Sequence, residues 1–99
     1  MDDDALVQAC LEGLVAVLEE RGGWMSVWSA YQALHIAAEG HPYAGTGLHA
    51  VTRAETDVAQ LVRRRLEAQF PDVSPTDLTA ALHGAAALVL AESVGERGR

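Results

Sequence analysis

The segment from Val27 to Glu39 is apolar around almost the whole circumference of a helix. Successive helix residues lie about 100° apart, so the segment can be laid out on a cylinder. One aliphatic face continues into an aromatic border, and two more apolar residues lie on the far side. The aliphatic face is Val27, Ala30, Leu34, Ala37 and Ala38, the border is Trp28, Tyr31 and His35, and the far side is Ala33 and Ile36. Such a helix must be covered from several sides, which predicts a central helix or one covered by a second subunit.

Capping and stop signals bound this helix and a helix before it. Ser26 is a suitable N-cap, because its hydroxyl accepts a hydrogen bond from the first turn, and Gly40 follows the last turn. The preceding helix is predicted from about Asp4 to Glu20. Its acidic start suits the positive end of the helix dipole. Gly22 and Gly23 stop it, since glycine readily adopts the left-handed conformation.

Two more helices are predicted in the second half of the chain. The third begins near Thr52, whose spacing to Glu55 matches a capping box, and it ends before Pro71. The fourth has Ser74 as its N-cap and Pro75 as its first residue. The expected buried stripe of the third helix is Ala54, Val58, Leu61, Val62 and Leu66.

Together these segments predict one all-α domain over residues 1–99, a compact bundle of about four helices. Alanine and leucine favour helix, and the chain is 49% hydrophobic. Residues 1–3 and 95–99 are expected to be frayed. Gly84 lies among alanines inside the fourth helix, which predicts a close helix–helix crossing at that position.

The charge pattern narrows the function classes. The seven basic residues are all arginine, and the formal net charge is −7. Because attraction to phosphate grows with the number of basic contacts, this acidity argues against a general binder of nucleic acid or of anionic membranes. The longest apolar run, Ala85–Ala91, is far shorter than the roughly 20 residues that a membrane span needs.

Cys10 is the only cysteine, which excludes an intramolecular disulfide and fits a reducing compartment. The start, MDDDALV, lacks the basic n-region of a secretory signal, so a cytoplasmic location is predicted. Cys10 lies on the apolar face of the first helix, where a thiol behaves as a small hydrophobe. The chain has no GxSxG nucleophile elbow. No enzymatic activity is therefore predicted.

His35, Glu39, His41 and His49 are the residues that could supply nitrogen and oxygen ligands to a metal. His35 and Glu39 are four residues apart and share a helix face, but the whole set matches no established metal-site spacing. His41 and His49 lie in or beside the glycine-rich segment 40–48, which does not give them a defined geometry. Neither a metal nor a cofactor is predicted.

A helix-turn-helix-like DNA-binding regulator is the first alternative function. Its contacts would come from Arg53, Arg63, Arg64 and Arg65 of the third helix, because arginine binds phosphates and base edges. The consecutive arginines lie about 100° apart, so they wrap the helix instead of forming one stripe. If these arginines have only a structural role, they pair with acidic neighbours and cover apolar surface with the aliphatic parts of their side chains.

Aromatic residues and histidines are concentrated in the segment 24–49. The candidate site residues are Trp24, Trp28, Tyr31, His35 and Tyr43. They form either part of the core, an interface with a protein partner or second copy, or, as a second alternative function, a site for a small molecule or metal. Tryptophan and tyrosine are enriched at interface hot spots. The main prediction is a non-enzymatic interaction or regulatory module that forms a homodimer through the second helix and its flanking loop.

Four groups of residues follow one another in the order of a family pattern: an Arg-Gly-Trp-like turn, an Ala-Leu-containing helix, a Gly-x-Pro loop and a late Asp…Ala-Leu helix. They are Arg21, Gly23 and Trp24; Ala33, Leu34 and Ala37; Gly40, Pro42 and Tyr43; and Ser74, Asp77, Ala81 and Leu82. In this order the chain resembles an uncharacterised family of small helical proteins of actinobacteria and their bacteriophages. The resemblance implies a helical fold and that biological setting, and it implies no activity.

Overall fold

The computed structural model describes residues 2–39 and 52–97, with side chains described as far as Glu92. Within these ranges the chain forms no strand and four helices: α1 (Asp3–Glu20), α2 (Val27–Glu39), α3 (Arg53–Gln69) and α4 (Pro75–Arg97). The predicted all-α bundle of about four helices is confirmed. The fraying expected of residues 1–3 and 95–99 stays a prediction. None of the described helices has the length and apolarity needed to cross a membrane.

The predicted N-caps are present at three helix starts. Ser26 Oγ accepts a hydrogen bond of 3.1 Å from a backbone N–H of the first turn of α2, and Ser74 Oγ does the same for α4 at 3.1 Å. Thr52 and Glu55 form the reciprocal capping box of α3, with hydrogen bonds of 3.1 and 2.8 Å. At each of these starts, a side-chain oxygen accepts a hydrogen bond from the backbone N–H three residues later, and this local contact fixes where the helix begins.

The helices form one bundle in which each helix packs against two others, in the order α1, α3, α2 and α4 around the core. α1 and α2 each pack against both α3 and α4, whereas they contact each other little. The largest fully buried side chains are Leu34, Leu66, Leu82, Val58, Val62 and Cys10. These residues come from all four helices, so every helix contributes to the same core.

α2 is buried along most of its length, as its apolar circumference predicts. Its buried residues are Ala30, Gln32, Ala33, Leu34, Ile36, Ala37 and Ala38. α3 and α4 cover it from two sides. The exception is its first turn, where Val27 and Trp28 are each 43% exposed. The helix is therefore central at its C-terminal end and open at its N-terminal end.

The buried face of α3 differs from the prediction. Ala54 is exposed and Leu61 is 40% exposed, so the expected stripe was wrong at two positions. Glu55 and Ala59 are buried instead, with exposures of 2% and 1%. The Glu55 carboxylate is tolerated inside because it accepts the capping hydrogen bond at 2.8 Å and a second one from the Gln32 side-chain amide at 3.5 Å.

Two glycines have the structural roles that the sequence predicts. Gly22 adopts a left-handed φ of 73° at the end of α1, and Gly23 N donates to Leu18 O at 3.3 Å. Gly84 lies where α4 crosses α1. A Cβ at this position would stand 3.2 Å from Val7 Cγ2, so the absent side chain allows the two helices to approach closely.

Cys10 is fully buried in α1, with 0% exposure. Burial raises the pKa of its thiol from 9.0 to about 11, and the positive charge of Arg63 lowers it in part. The thiol therefore stays protonated at neutral pH. Because a protonated, buried thiol is a poor nucleophile, Cys10 acts as a small apolar core residue.

Candidate functional site

A row of rings runs along one side of α2 and continues onto α4. Tyr31 lies between Trp28 and His35, with ring centroids 5.4 and 6.0 Å away. Side chains three and four residues apart share one helix face, which explains the row. His83 of α4 extends it, because its ring meets that of His35 edge-on at 4.9 Å. The structure thus brings together three predicted site residues and adds one from another helix.

The exposed end of this row is apolar and uncharged. We call the exposed apolar residues of the first turn of α2 and of the segment just before it the aromatic surface: Trp24, Val27 and Trp28, whose exposed fractions are 71%, 43% and 43%. No charged residue lies between Arg21 and Glu39, although the chain has a net charge of −7. The residues of the aromatic surface therefore come from an uncharged stretch of an acidic chain.

The other predicted aromatic-site residues do not share this exposure. Tyr31 and His35 are half-buried and lie between the aromatic surface and the core. Tyr43 lies outside the described residues. The aromatic border of α2 is therefore half-buried at Tyr31 and His35 and exposed at Trp28.

A second group, the His–Glu cluster, consists of His35, Glu39 and His83. One ring nitrogen of each histidine and one carboxylate oxygen lie within 4.8 Å of one another. Glu39 Oε1 is 2.9 Å from His83 Nε2, and both of these side chains are 39% exposed. The cluster joins α2 to α4 at a place that solvent and small ions can enter.

The His35 imidazole favours its neutral form. Burial lowers the pKa of His35 below its ordinary value of 6.5, the nearby His83 lowers it further, and the Glu39 carboxylate raises it in part. At neutral pH the ring therefore carries one nitrogen that accepts a hydrogen bond or donates a lone pair.

His83 was missed by the sequence interpretation, which paired His35 with Glu39. The only signal was a lone histidine beside the apolar face of an alanine-rich helix. No local spacing connects this position to α2, because the contact depends on how α4 packs. His41 and His49, the two other ligand candidates, lie outside the described residues.

The last carbonyls of α2 are bound by a pair of residues that we call the C-terminal clamp, Arg63 and Thr79. Arg63 Nη1 donates to Ala37 O and to Thr79 Oγ1, both at 3.2 Å. Thr79 Oγ1 in turn donates to Ala38 O at 3.2 Å. Because the final carbonyls of a helix lack intrahelical partners, the C-terminal clamp satisfies two of them with side chains from α3 and α4.

The four arginines of the DNA-binding alternative differ in their contacts and exposure. Arg63 belongs to the C-terminal clamp, and its side chain is only 19% exposed. Arg65 pairs with Glu20 of α1 at 2.9 Å. Arg53 and Arg64 are exposed. Two of the four therefore make contacts within the fold, and the DNA-binding alternative stays a prediction that these contacts do not favour.

The comparisons with known proteins add no relative. No protein-family model, no curated protein and no solved structure matches the chain. The resemblance to actinobacterial and bacteriophage proteins therefore stays a prediction.

Proposed function

We propose that the protein is a small, non-enzymatic interaction module of the cytoplasm that self-associates through the aromatic surface. The observation that carries this proposal is the 71% exposure of Trp24, together with two apolar side chains three and four residues further along the chain, Val27 and Trp28, that are each 43% exposed. Single exposed apolar residues are ordinary, whereas neighbouring ones form a patch that favours an interface. The reduced, buried Cys10 supports the cytoplasmic compartment.

Burial of the aromatic surface would supply the driving force. A large apolar side chain contributes about 1.5–3 kcal/mol when it moves from water into an apolar contact. Tryptophan has the largest area of all side chains and is enriched among the residues that dominate binding energy. In a two-fold dimer the same patch is buried on both copies, which doubles this contribution.

A second copy of the chain is the occupant that the charge distribution favours. With a net charge of −7, two copies repel each other across most of their surfaces. The repulsion is weakest where the stretch between Arg21 and Glu39 is exposed, since it holds no charged residue. Interface cores are likewise poor in charge and rich in aromatics. A basic partner would instead favour acidic regions such as the first turn of α1, with Asp3 and Asp4.

Sedimentation velocity over a concentration series tests the proposal. We expect a dimer to form between about 1 µM and 1 mM. Trp24→Ser changes both copies of a two-fold dimer, so it should weaken dimerisation roughly 1,000-fold, which corresponds to a hot-spot loss of about 2 kcal/mol in each copy. Leu88→Ser is the matched control, because Leu88 of α4 is also an exposed apolar residue, at 43%, and its replacement should leave dimerisation unchanged.

Tryptophan fluorescence gives a second readout, since both tryptophans belong to the aromatic surface. Emission should move to shorter wavelength as the dimer forms, because the rings leave water. A protein that stays monomeric at the highest concentration would overturn the proposal. So would a Leu88→Ser variant that loses as much dimer as Trp24→Ser does.

A further inference from the structure

We infer that His35, Glu39 and His83 bind one divalent first-row transition-metal ion, with zinc as the best fit, between α2 and α4. This inference goes beyond self-association, because it concerns the His–Glu cluster and not the aromatic surface. It also departs from the sequence expectation of no metal, which considered His35 and Glu39 only together with histidines of the segment 40–51.

The positions of the donor atoms suit such an ion. Zinc binds nitrogen and oxygen at about 2.0–2.2 Å in tetrahedral geometry, so its ligand atoms lie about 3.4 Å apart. The three donors of the His–Glu cluster already lie within 4.8 Å of one another, and Glu39 Oε1 and His83 Nε2 are 2.9 Å apart. Zinc would therefore require the most distant donor atoms to approach each other by little more than an ångström. Small side-chain rotations achieve such a movement.

The backbone beneath the donors is held in place by other contacts. His35 and Glu39 are four residues apart on α2, and Thr79 and His83 are four residues apart on α4, so each pair shares one helix face. Thr79 Oγ1 donates to Ala38 O at 3.2 Å, next to Glu39 in the chain. The same surfaces of α2 and α4 that carry the ligands are therefore already joined without an ion, which reduces the entropy lost on binding one.

The position of Glu39 also indicates a cation. It is the last residue of α2, where the negative end of the helix dipole disfavours a carboxylate and favours a positive charge. The last turn of α2 contains no basic residue. A divalent ion bound to Glu39 would remove this conflict, and the chain's net charge of −7 would add to the attraction. A carboxylate that breaks a local rule in this way is typical of a functional position.

The ligand types select the class of metal. Two imidazoles and one carboxylate suit zinc, iron, cobalt or nickel, whereas calcium and magnesium prefer oxygen ligands alone. Three protein ligands leave at least one coordination position open. Because the side chains of Glu39 and His83 are each 39% exposed, water or a small anion can occupy that position.

The experiment uses the whole chain after treatment with a chelator. Zinc chloride is titrated in by calorimetry, and cobalt chloride by visible absorption, where tetrahedral Co²⁺ gives intense bands. We expect one ion per chain. Loss of an outer-shell partner already weakens metal binding about 10- to 100-fold, so His83→Gln and Glu39→Gln, which each remove a ligand, should weaken it by at least about 100-fold. Glu92→Gln, at an exposed carboxylate of α4, is the matched control and should bind zinc as the wild type does.

Several results would overturn the inference. Wild-type protein that gives neither heat nor cobalt bands would do so, as would a His83→Gln variant that binds zinc as tightly as the control. Equal weakening by Glu92→Gln would indicate general attraction to acidic residues. Circular dichroism checks that each variant keeps its helices. The same titration on Trp24→Ser separates this inference from the proposed self-association, because zinc binding should persist there whether or not the variant dimerises.

Discussion

The two ends of α2 are equally apolar in sequence but differ in how the rest of the fold covers them. At the N-terminal end, Val27 and Trp28 are each 43% exposed, and Ser26 caps the first turn at 3.1 Å. At the C-terminal end, Ala37 and Ala38 are buried, and the C-terminal clamp bonds their carbonyls at 3.2 Å.

This difference shows that an apolar circumference does not by itself decide which part of a helix becomes core. Ser26, which precedes the helix, accepts one N–H of the first turn, so this hydrogen bond needs no side chain from another helix. The C-terminal carbonyls lack such a local partner and depend on side chains from α3 and α4. Contacts hold the C-terminal end against the bundle, whereas the N-terminal end stays exposed.

The largest expected effect concerns the clamped end. Arg63→Met keeps much of the apolar stem but removes the guanidinium, which leaves two acceptors without their charged donor. Hydrogen bonds to charged groups contribute about 1.5–3 kcal/mol, so the free energy of unfolding should fall by about 2–3 kcal/mol. Urea denaturation followed by circular dichroism measures this loss. Arg64→Met, at an exposed neighbour, should change stability by less than about 0.5 kcal/mol, and similar losses for both would contradict the clamp.

A smaller loss is expected from the other member of the clamp. Thr79→Val keeps the shape of the side chain but removes the hydroxyl that donates to Ala38 O. The expected loss is about 1–2 kcal/mol, because the carbonyl is left without this donor. Thr76→Val, at an exposed position of α4, is the matched control in the same urea assay. Since Arg63 also donates to Thr79, the double variant should lose less than the sum of the two single losses.

Alkaline pH should lower the free energy of unfolding through the buried Cys10 thiol, whose pKa is affected by Arg63 of the C-terminal clamp. The Cys10 thiol has a pKa of about 11 in the folded chain and 9.0 in its ordinary state, so the unfolded chain loses this proton first. Its contribution to stability is therefore complete below about pH 9.0 and declines as the pH rises through about 11. Unfolding free energies at several pH values, compared with those of Cys10→Ala, isolate this slope. Equal slopes for both proteins would contradict a buried, protonated thiol.

The smallest effect on stability is expected at the open end. Trp24 is 71% exposed, so Trp24→Ser should change the unfolding free energy of the monomer by less than about 0.5 kcal/mol. The measurement needs low protein concentration, because dimerisation would add its own stabilisation. A loss comparable to that of Arg63→Met would show that Trp24 belongs to the core and would remove the contrast between the two ends.

The helix starts were predictable because their causes are local. Ser26, Thr52 and Ser74 each accept a hydrogen bond from a residue three positions later, and such a spacing is visible in the sequence. The buried face of α3 was less predictable. Hydrophobicity favoured Leu61 over Glu55, but the Glu55 carboxylate is satisfied by the capping box and by Gln32 of another helix, which no pattern within α3 reveals.

Part of the candidate site was likewise predictable from local spacing, and part was not. The aromatic row of Trp28, Tyr31 and His35 follows from spacings of three and four residues within one helix. The partnership of His35 and Glu39 with His83 does not, because it depends on the packing of α4 against α2. A lone histidine in an alanine-rich helix gives no sign of what faces it.

By itself the sequence determined the helices, the N-caps of α2, α3 and α4, a close helix crossing at Gly84, and the unusual apolarity of α2. These features depend on hydrogen bonds and steric limits that act within about one helical turn. Only the tertiary structure decided which end of α2 is buried and which histidine meets Glu39. Both depend on how α3 and α4 pack around α2, and packing joins residues whose separation along the chain carries no periodic signal.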